Sequence, residues 1–248
     1  MRFTILASGS KGNCTLVEGE GTKILIDCGI SGRAVKTGLA AAGTTLDQIS
    51  GVLVTHTHSD HIKGIKAVRD LPLFAPCEIK ERYDERIVTP YVSFEIGSFV
   101  ITPVKLSHDA PECVGYIIEC GDEKLVSITD TGYISAMNEE MIRNADYYIF
   151  EANHDVGMLM ETDRPAYLKA RILSDSGHMN NEDAGYVLSR VTGPSTREIV
   201  LAHLSEEAND PGLAYDVVYG ILAENGVDLH RVLLRCASQH EALQGGHL

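Results

Sequence analysis

The residues best suited to chemistry lie together in one short stretch, VTHTHSDH, at residues 54–61. Residues i and i+2 of an extended segment point the same way, so His56 and His58 can face one ion. Asp60 and His61 follow at a predicted helix start and can face a second position nearby. Imidazole suits zinc, iron and manganese, and a carboxylate adds affinity for harder cations. A polar loop with coincidental histidines is the alternative, but this density favours a divalent-metal site.

Three further candidate ligands each follow an apolar run elsewhere in the chain. They are His108, Asp130 and His203. Taken singly, each can be an ordinary hydrogen-bonded residue at the end of a strand. Taken with the VTHTHSDH stretch, they complete a ligand set large enough for two metal ions. The sequence therefore predicts that several strand ends meet at one rim.

The elements that must position these residues are mostly strands. Strands are predicted at residues 3–7, 15–18, 23–27, 52–55, 92–96, 99–106, 115–120, 124–129, 147–151, 198–202 and 231–236. Helices are predicted at residues 31–42, 60–70, 137–145, 164–174, 181–191 and 213–224. Two β-rich blocks flanked by helices predict an α+β fold in which sheets pack face to face with helices outside. No linker or repeat interrupts the pattern, so residues 1–248 are predicted to form one domain.

Composition restricts the class of protein. No apolar run approaches the ~20 residues that span a bilayer, and the N-terminal residues lack the order of a secretory signal. We therefore expect a cytoplasmic protein without membrane contact. Its six scattered cysteines are expected to be reduced and mostly buried. The formal net charge of −14 argues against broad nonspecific adhesion to nucleic acid, although bound metal ions can create a local positive site. The acidic pairs at 84–85 and 139–140 are predicted to be exposed.

The motifs resemble one known superfamily. HTHSDH is similar to the HxHxDH signature of the metallo-β-lactamase superfamily, and His108, Asp130 and His203 match its later ligand motifs in order and context. Several strings resemble the YycJ (WalJ) family within it, bacterial enzymes related to ribonuclease Z and described as DNA exonucleases. These strings are LASGSKGNCTLVE, ILIDCGIS, SHDAPECVGY, ITDTGY, FEANHDVGML, SGHMNNEDA and LAHLSEEAND. The resemblance covers nearly the whole chain.

The resemblance implies a four-layer αββα sandwich, the metallo-β-lactamase fold, with two divalent metal ions. Zinc or manganese is expected, and iron also fits the ligand types. The implied ligands are His56, His58 and His108 for one ion, Asp60, His61 and His203 for the other, and Asp130 as a bridge. Two such ions activate water for attack on phosphorus.

The resemblance also implies residues that act on the leaving group. Relatives of ribonuclease Z use a glutamate and a histidine in matching context, which carries over to Glu151 as the orienting residue and His178 as the general acid. Asp60 is expected to be catalytic as well as a ligand. His178 could instead be a helix cap or loop residue. Asp27 is expected to hydrogen-bond a ligand histidine or the loop behind it, because metal-binding histidines are usually oriented by a second acceptor.

Two further positions are candidate substrate contacts. SGSKGN at residues 8–13 lacks the spacing of a phosphate-binding loop, so we interpret it as a hairpin connection in which Ser8, Ser10 or Asn13 can touch substrate. His154 is predicted either to contact substrate or to support the ligands.

The predicted activity is metal-dependent hydrolysis of phosphodiester bonds, with DNA as the expected substrate and partner. The alternatives are a thioesterase similar to glyoxalase II, a small-molecule phosphodiesterase, a β-lactamase, and a metal-dependent regulatory protein without enzymatic activity. Processing of tRNA 3′ ends is disfavoured, because residues 131–146 are too short for a tRNA-gripping arm and contain one basic residue, Arg143.

Overall fold

Two seven-stranded β-sheets form the centre of the computed structural model, which describes residues 1–80 and 85–247. The first sheet has the order β14-β1-β2-β3-β4-β5-β6. Its strands are β1 Arg2–Ala7, β2 Cys14–Gly19, β3 Thr22–Ile26, β4 Gly51–Leu53, β5 Leu73–Ala75, β6 Arg86–Ile87 and β14 Leu243–Gly246. The strands from β14 to β3 pair antiparallel, and those from β3 to β6 pair parallel.

The second sheet repeats this plan. Its order is β13-β12-β11-β10-β9-β8-β7. Its strands are β7 Phe94–Ile96, β8 Phe99–Lys105, β9 Val114–Cys120, β10 Glu123–Ile128, β11 Tyr147–Glu151, β12 Glu198–Ala202 and β13 Leu233–Cys236. The pairs from β7 to β10 are antiparallel and those from β10 to β13 are parallel. Each sheet therefore has a parallel half whose strand ends share one edge.

Helices cover the outer faces of both sheets. They are α1 Gly32–Ala41, α2 Ser59–Ile62, α3 Ala136–Ile142, α4 Val156–Glu161, α5 Ala166–Ile172, α6 Asn181–Val191 and α7 Pro211–Glu224. Several begin at a side-chain cap, such as Ser31 before α1, Asn180 before α6 and Asp210 before α7. No helix in residues 1–80 and 85–247 is long and apolar enough to cross a membrane.

Three apolar cores separate the four layers. The central core lies between the sheets and includes Phe3, Tyr116 and Tyr147. A second core packs the outer face of the first sheet against Val35 and Leu39 of α1. A third packs the second sheet against α3, α6 and α7. Strands covered on both faces need apolar residues without alternation, which explains why EIVLA in β12 is buried throughout. The predicted four-layer αββα sandwich is confirmed.

Some predicted elements are wrong or missed. The helix predicted at 60–70 is only α2 followed by a 3₁₀ turn at Ile65–Val68. Gly64 separates the two: it donates its N–H to the carbonyl oxygen of Cys28, and a Cβ there would lie 2.2 Å from the carbonyl oxygen of Ile30. The chain must therefore turn against the loop after β3. Helix α4 and strands β5, β6 and β14 have no counterpart among the predicted elements.

Other expectations have simpler outcomes. All six cysteines are free thiols and four of them are buried, as predicted. Of the two acidic pairs predicted to be exposed, Asp84 lies outside the described residues and Glu140 is exposed as predicted. The prediction is wrong for Glu85 and Glu139, which are half-buried, and Glu139 forms an ion pair with Arg190. The organisation of residues 1–248 as one domain stays a prediction.

A close approach between two loops yields a stability prediction. Gly29 donates its N–H to the carbonyl oxygen of Asn13, and a Cβ at residue 29 would lie only 1.5 Å from the carbonyl oxygen of Asp60. Gly29→Ala should lower the free energy of unfolding by about 3 kcal/mol, because the loop must move to relieve the overlap. Gly220→Ala in α7, where nothing lies within 4 Å, should raise it by about 0.5–1 kcal/mol. Urea denaturation measures both, and equal stabilities would contradict the prediction.

Candidate metal centre

A cluster of imidazole rings lies where the carboxyl ends of strands from both sheets meet. His56, His58 and His61 follow β4, and His203 follows β12. Neighbouring rings have centroids 4.1–6.1 Å apart, from His56–His61 to His61–His203. The cluster also includes His108 and His178, whose ring centroids are 5.1 Å apart. The structure thus brings together side chains that are up to 147 positions apart in the sequence, from His56 to His203.

One group of ligand atoms comprises His56, His58 and His108, whose donor atoms lie within 4.8 Å of one another. The Nε2 atom of His108 is 3.2 Å from the Nδ1 atom of His58. The other ring nitrogen of His108, Nδ1, lies 3.1 Å from the carbonyl oxygen of Gly177 and can donate to it. That hydrogen bond leaves Nε2 facing the cluster.

A second group comprises Asp60, His61 and His203, again within 4.8 Å. Asp60 Oδ2 is 3.6 Å from His61 Nε2 and 3.8 Å from His203 Nε2. Asp60 is the more accessible carboxylate of the centre, with 20% of its side chain exposed against 3% for Asp130. The second group therefore faces solvent through Asp60.

Asp130 lies between the two groups. Its Oδ2 is 3.1 Å from His61 Nε2, whereas its Oδ1 is 3.9 Å from His108 Nε2 and 3.5 Å from His203 Nδ1. Asp130 therefore lies near ring nitrogens of both groups, and its carboxylate could contact an ion held by either group.

Buried atoms without hydrogen-bond partners test whether cations fit. His56 Nε2, Asp130 Oδ2 and His203 Nε2 are all buried and unpartnered. An unsatisfied buried polar atom costs about 1–3 kcal/mol, so bound cations would offset the cost at these three atoms. Imidazole nitrogen and carboxylate oxygen are the donors that zinc, manganese and iron accept. The residues present fit divalent metal ions.

Electrostatics support the same fit. Burial and the neighbouring charge of His61 lower the pKa of His56 to about 2, so its ring is neutral and free to ligate. Burial opposes ionisation of Asp130, but the surrounding histidines outweigh it and hold the pKa of Asp130 well below its usual range. Burial likewise opposes protonation of His61, yet Asp27 and Asp130 raise its pKa to about 10. An ionised carboxylate at this depth requires cationic partners.

Asp27 and Thr55 support the first sheet's ligands from behind. His61 Nδ1 donates to Asp27 Oδ2 at 2.7 Å, and the backbone N–H of Thr55 donates to Asp27 Oδ1 at 2.8 Å. The Thr55 hydroxyl lies 3.1 Å from the Nδ1 atoms of both His56 and His61. The expected role of Asp27 is confirmed, whereas Thr55 was missed although it directly precedes the first ligand histidine.

Glu151 supports the second sheet's side of the centre. It is fully buried, and it accepts hydrogen bonds from the backbone N–H groups of Asp130, Thr131 and Met179. Its Oε1 also accepts from the Nδ1 atoms of His178 and His203, both at 2.9 Å. Five donors exceed the about four lone-pair sites of a carboxylate, so its acceptor capacity is fully used. These contacts fix the positions of the groups that donate to it, although Glu151 also belongs to a group that could hold a metal with Asp130, His178 and His203.

His178 is placed beside the centre by these hydrogen bonds. It is 17% exposed, and its Nδ1 is 3.7 Å from Asp130 Oδ1. With Nδ1 donating to Glu151, its Nε2 atom is directed elsewhere. His178 is not the cap of α6, because Asn180 has that position. The sequence allowed His178 to be a helix cap or a loop residue in place of a general acid, and the structure excludes the helix cap.

Three residues of the centre have left-handed backbone conformations. Asp27, Asp130 and His203 have φ values of 60°, 61° and 57°. This region costs an L-residue about 1–2 kcal/mol, although aspartate and histidine tolerate it better than most residues. Each of the three follows a strand end, so the sharp turn directs its side chain across the rim. No sequence signal indicates these turns.

The other candidate contacts lie on loops around the centre, and their contact with substrate stays a prediction. Ser8 Oγ accepts from the backbone N–H of His203 at 2.9 Å, and Asn13 Nδ2 lies 3.1 Å from His61 Nε2. Ser10 is exposed on the same loop. His154 is buried with both ring nitrogens unpartnered, and burial lowers its pKa to about 4. Asn153, which sequence reasoning missed, donates to the carbonyl oxygen of His203 at 2.8 Å.

Comparison with known proteins agrees with this geometry. The sequence profile described as "Beta-lactamase superfamily domain" matches residues 22–204. Exodeoxyribonuclease YycJ of Bacillus anthracis is 38% identical over 244 residues, which cover 91% of this chain and 90% of the relative. Exodeoxyribonuclease WalJ of Streptococcus pneumoniae is 35% identical over 238 residues, which cover 90% and 88%.

A solved structure shows the same fold. The metallo-beta-lactamase fold protein YhfI of Bacillus subtilis superimposes with a TM-score of 0.74 at 19% sequence identity, covering 98% of this chain and 99% of that protein. At this identity the similarity concerns the fold alone, and it matches the four layers described above.

Added metal should stabilise the protein. A ligand that binds only the folded state at 100 times its Kd adds about 2.7 kcal/mol, so Zn²⁺ or Mn²⁺ should raise the melting temperature and a chelator should lower it. His108→Ala should lose most of this response, whereas His230→Ala, on an exposed residue, should keep it. Scanning calorimetry with and without metal measures the shift; an equal response in all three proteins would contradict a site at these residues.

Removal of the support behind His61 should weaken metal binding. Asp27→Asn keeps the shape but loses the negative acceptor for His61 Nδ1, and such changes cost about 10- to 100-fold in metal affinity. Asp47→Asn, on an exposed residue of the Leu46–Gln48 turn, is the matched control. Competition with a chromophoric chelator measures both affinities. If Asp27→Asn binds zinc as tightly as the control, Asp27 does not orient a ligand.

Proposed function

We propose that this chain, which belongs to the beta-lactamase superfamily and to the family of the YycJ and WalJ proteins, is a dinuclear-metal-dependent phosphodiesterase that removes nucleotides from DNA ends. One observation carries the proposal: Asp130 lies no more than 3.9 Å from ring nitrogens of both ligand groups, beside the Glu151–His178 pair. The two relatives named exodeoxyribonucleases, aligned over about nine-tenths of their length, support the choice of DNA.

The two groups of ligand atoms give the metal assignment. In this proposal His56, His58 and His108 hold one divalent ion, Asp60, His61 and His203 hold the other, and Asp130 contacts both. Zinc and manganese suit this mixture of imidazole and carboxylate, and iron is compatible with it. When bound, the ions supply positive charge that polarises a phosphate ester and acidifies water.

The protein's own residues then move protons and fix geometry. Asp60, the accessible carboxylate, can accept a proton from the attacking water at the oxygen that it does not use as a ligand. His178 can donate a proton from Nε2 to the oxygen that leaves phosphorus, because its Nδ1 is already committed to Glu151 at 2.9 Å. Burial disfavours the ionised form of Glu151, but the adjacent His178 and His203 outweigh it and lower the pKa of Glu151 to about 2. The carboxylate therefore stays ionised and keeps the His178 ring oriented.

The charge of the protein limits how DNA is bound. A formal charge of −14 disfavours wide contact with a polyanion. Two divalent ions outweigh the charges of Asp60 and Asp130, so the centre itself becomes a local positive site. The substrate is therefore held mainly at the centre and the cleft next to it.

A thioesterase similar to glyoxalase II and a small-molecule phosphodiesterase remain alternatives on the same ligands. A substrate panel separates the three activities: end-labelled DNA and RNA, an S-acyl glutathione, and a nucleoside phosphodiester, each with Mn²⁺ or Zn²⁺. DNA should be shortened from its ends. Cleavage of the thioester without any phosphodiester cleavage would refute the proposal.

Asp60→Ala should abolish DNA degradation, because it removes a ligand and the exposed proton acceptor together. We expect kcat/KM to fall by at least about 1,000-fold, the order seen when an electrostatic catalytic group is lost. Asp70→Ala, on a residue whose side chain is 91% exposed, should retain activity. A gel assay with end-labelled oligonucleotide gives both rates, and similar rates for the two variants would exclude a catalytic Asp60.

His178→Ala should lower kcat on DNA by about 100- to 10,000-fold, as expected for loss of a general acid. Its metal content, measured by elemental analysis, should be unchanged. A p-nitrophenyl phosphodiester should show little loss of kcat, because p-nitrophenolate leaves without a proton. Loss of metal would instead make His178 a ligand, and an equal loss of kcat on both substrates would exclude proton donation.

A further inference from the structure

A cleft of about 910 Å³ opens beside the metal centre. Eleven described residues line it: Thr57, Ser59, Ile62, Lys63, Ile65, Lys66, Cys77, Glu78, Ile79, Lys80 and Pro111. Its volume lies near the upper end of the ~300–1,000 Å³ range of small-ligand sites. The cleft can therefore hold a segment of one or two nucleotides, but not a duplex.

The cleft is continuous with the loops that carry the proposed ligands. Thr57 and Ser59 are the neighbours of His58 on either side, and Pro111 follows His108 by three residues. Cys77, in the segment that follows β5, lines the same cleft as Thr57. If a phosphate of a DNA strand lies at the metal centre, the neighbouring nucleotides of that strand can contact this cleft.

The walls of the cleft are apolar. Ile62, Ile65, Ile79 and Pro111 contribute them, and Ile65 and Ile79 are buried in the core under the first sheet's outer face. Apolar side chains can pack against the faces of nucleobases, which are available only where bases are unpaired and unstacked. A paired duplex end would present base edges and backbone instead.

The rim of the cleft is positive within an acidic protein. Three lysines and one glutamate contribute charge to its lining, whereas the whole chain carries −14. Lys63 and Lys80 are exposed, and neither forms an ion pair with a carboxylate in residues 1–80 and 85–247. Exposed ammonium groups next to an apolar wall match the alternation of phosphate and base along a nucleic acid strand.

We infer that this cleft binds the terminal nucleotides of DNA as a single strand, with bases against the isoleucine wall and backbone phosphates at Lys63 and Lys80. The inference rests on the proposed function and extends it to the form of the substrate. A duplex end must therefore open before its terminal phosphodiester reaches the centre.

Cys77 allows a direct test that does not depend on hydrolysis. It lines the cleft, and Cys236, the other half-buried thiol, is an internal control on β13. Alkylation of both is followed by mass spectrometry in the metal-loaded protein with a phosphorothioate oligonucleotide that resists cleavage. At ten times its Kd, the single strand should slow alkylation of Cys77 about tenfold, since the rate follows the unbound fraction. Alkylation of Cys236 should not change.

Three results of this experiment would overturn the inference. They are unchanged alkylation of Cys77 with bound oligonucleotide, equal protection of both thiols, and equal protection of Cys77 by a blunt duplex of the same sequence. Each leaves the proposed hydrolysis of DNA untouched, because that activity is measured separately with cleavable substrate. An absence of any DNA cleavage would refute the proposed function but would not alter the protection pattern.

Charge substitutions test the phosphate contacts. Lys63→Gln with Lys80→Gln should raise the Kd for single-stranded DNA and reduce the slope of log Kd against log salt by about 0.7 for each lost contact. The control removes two positive charges from exposed residues of α1, by Arg33→Gln with Lys36→Gln. This control variant lowers the net charge by the same amount as the Lys63→Gln, Lys80→Gln variant. It should keep the wild-type slope of log Kd against log salt. Equal effects of the two double variants would show only general electrostatic attraction and would overturn the assignment.

Discussion

Two buried carboxylates hold the centre together, one at the end of each sheet's parallel half. Asp27 follows β3 and Glu151 ends β11, and each accepts backbone N–H groups from neighbouring segments as well as histidine Nδ1 atoms. Each carboxylate accepts hydrogen bonds both from loop backbone and from a candidate ligand histidine. Movement of a loop would therefore leave a buried carboxylate without hydrogen-bond donors. The sheets pack through a common apolar core, so this pair of anchors also fixes the distance between the two ligand groups.

The functional consequence is a division of roles along the chain. The first sheet supplies the HTHSDH segment and its support by Asp27. The second sheet supplies His108, Asp130 and His203, and Glu151 accepts hydrogen bonds from the last two. The same division places the proposed proton donor, His178, on the second sheet's side and the nucleotide cleft on the first sheet's side. Substrate phosphate would therefore lie between the two sheets, because neither sheet alone supplies all the candidate metal ligands.

Much of this arrangement could be predicted from sequence, because its signals are local. Apolar runs gave most strands, and the density of histidine and aspartate in residues 56–61 indicated metal. The failures involve distant partners. Gly64 breaks a predicted helix because its N–H bonds to Cys28, and β14 forms because β1 offers an edge. The hydrogen bonds of Ser8 and Asn13 to the candidate ligand loops also had no sequence signal. The left-handed turns at Asp27, Asp130 and His203 have no counterpart in local propensity.

The position of bound metal tests the central claim most directly. Anomalous diffraction from crystals of purified, metal-loaded protein locates each ion without reference to activity. The account predicts two sites, one among His56, His58 and His108 and one among Asp60, His61 and His203, with Asp130 in contact with both. A single ion held by Glu151, His178 and His203, or the absence of bound metal after loading, would contradict it.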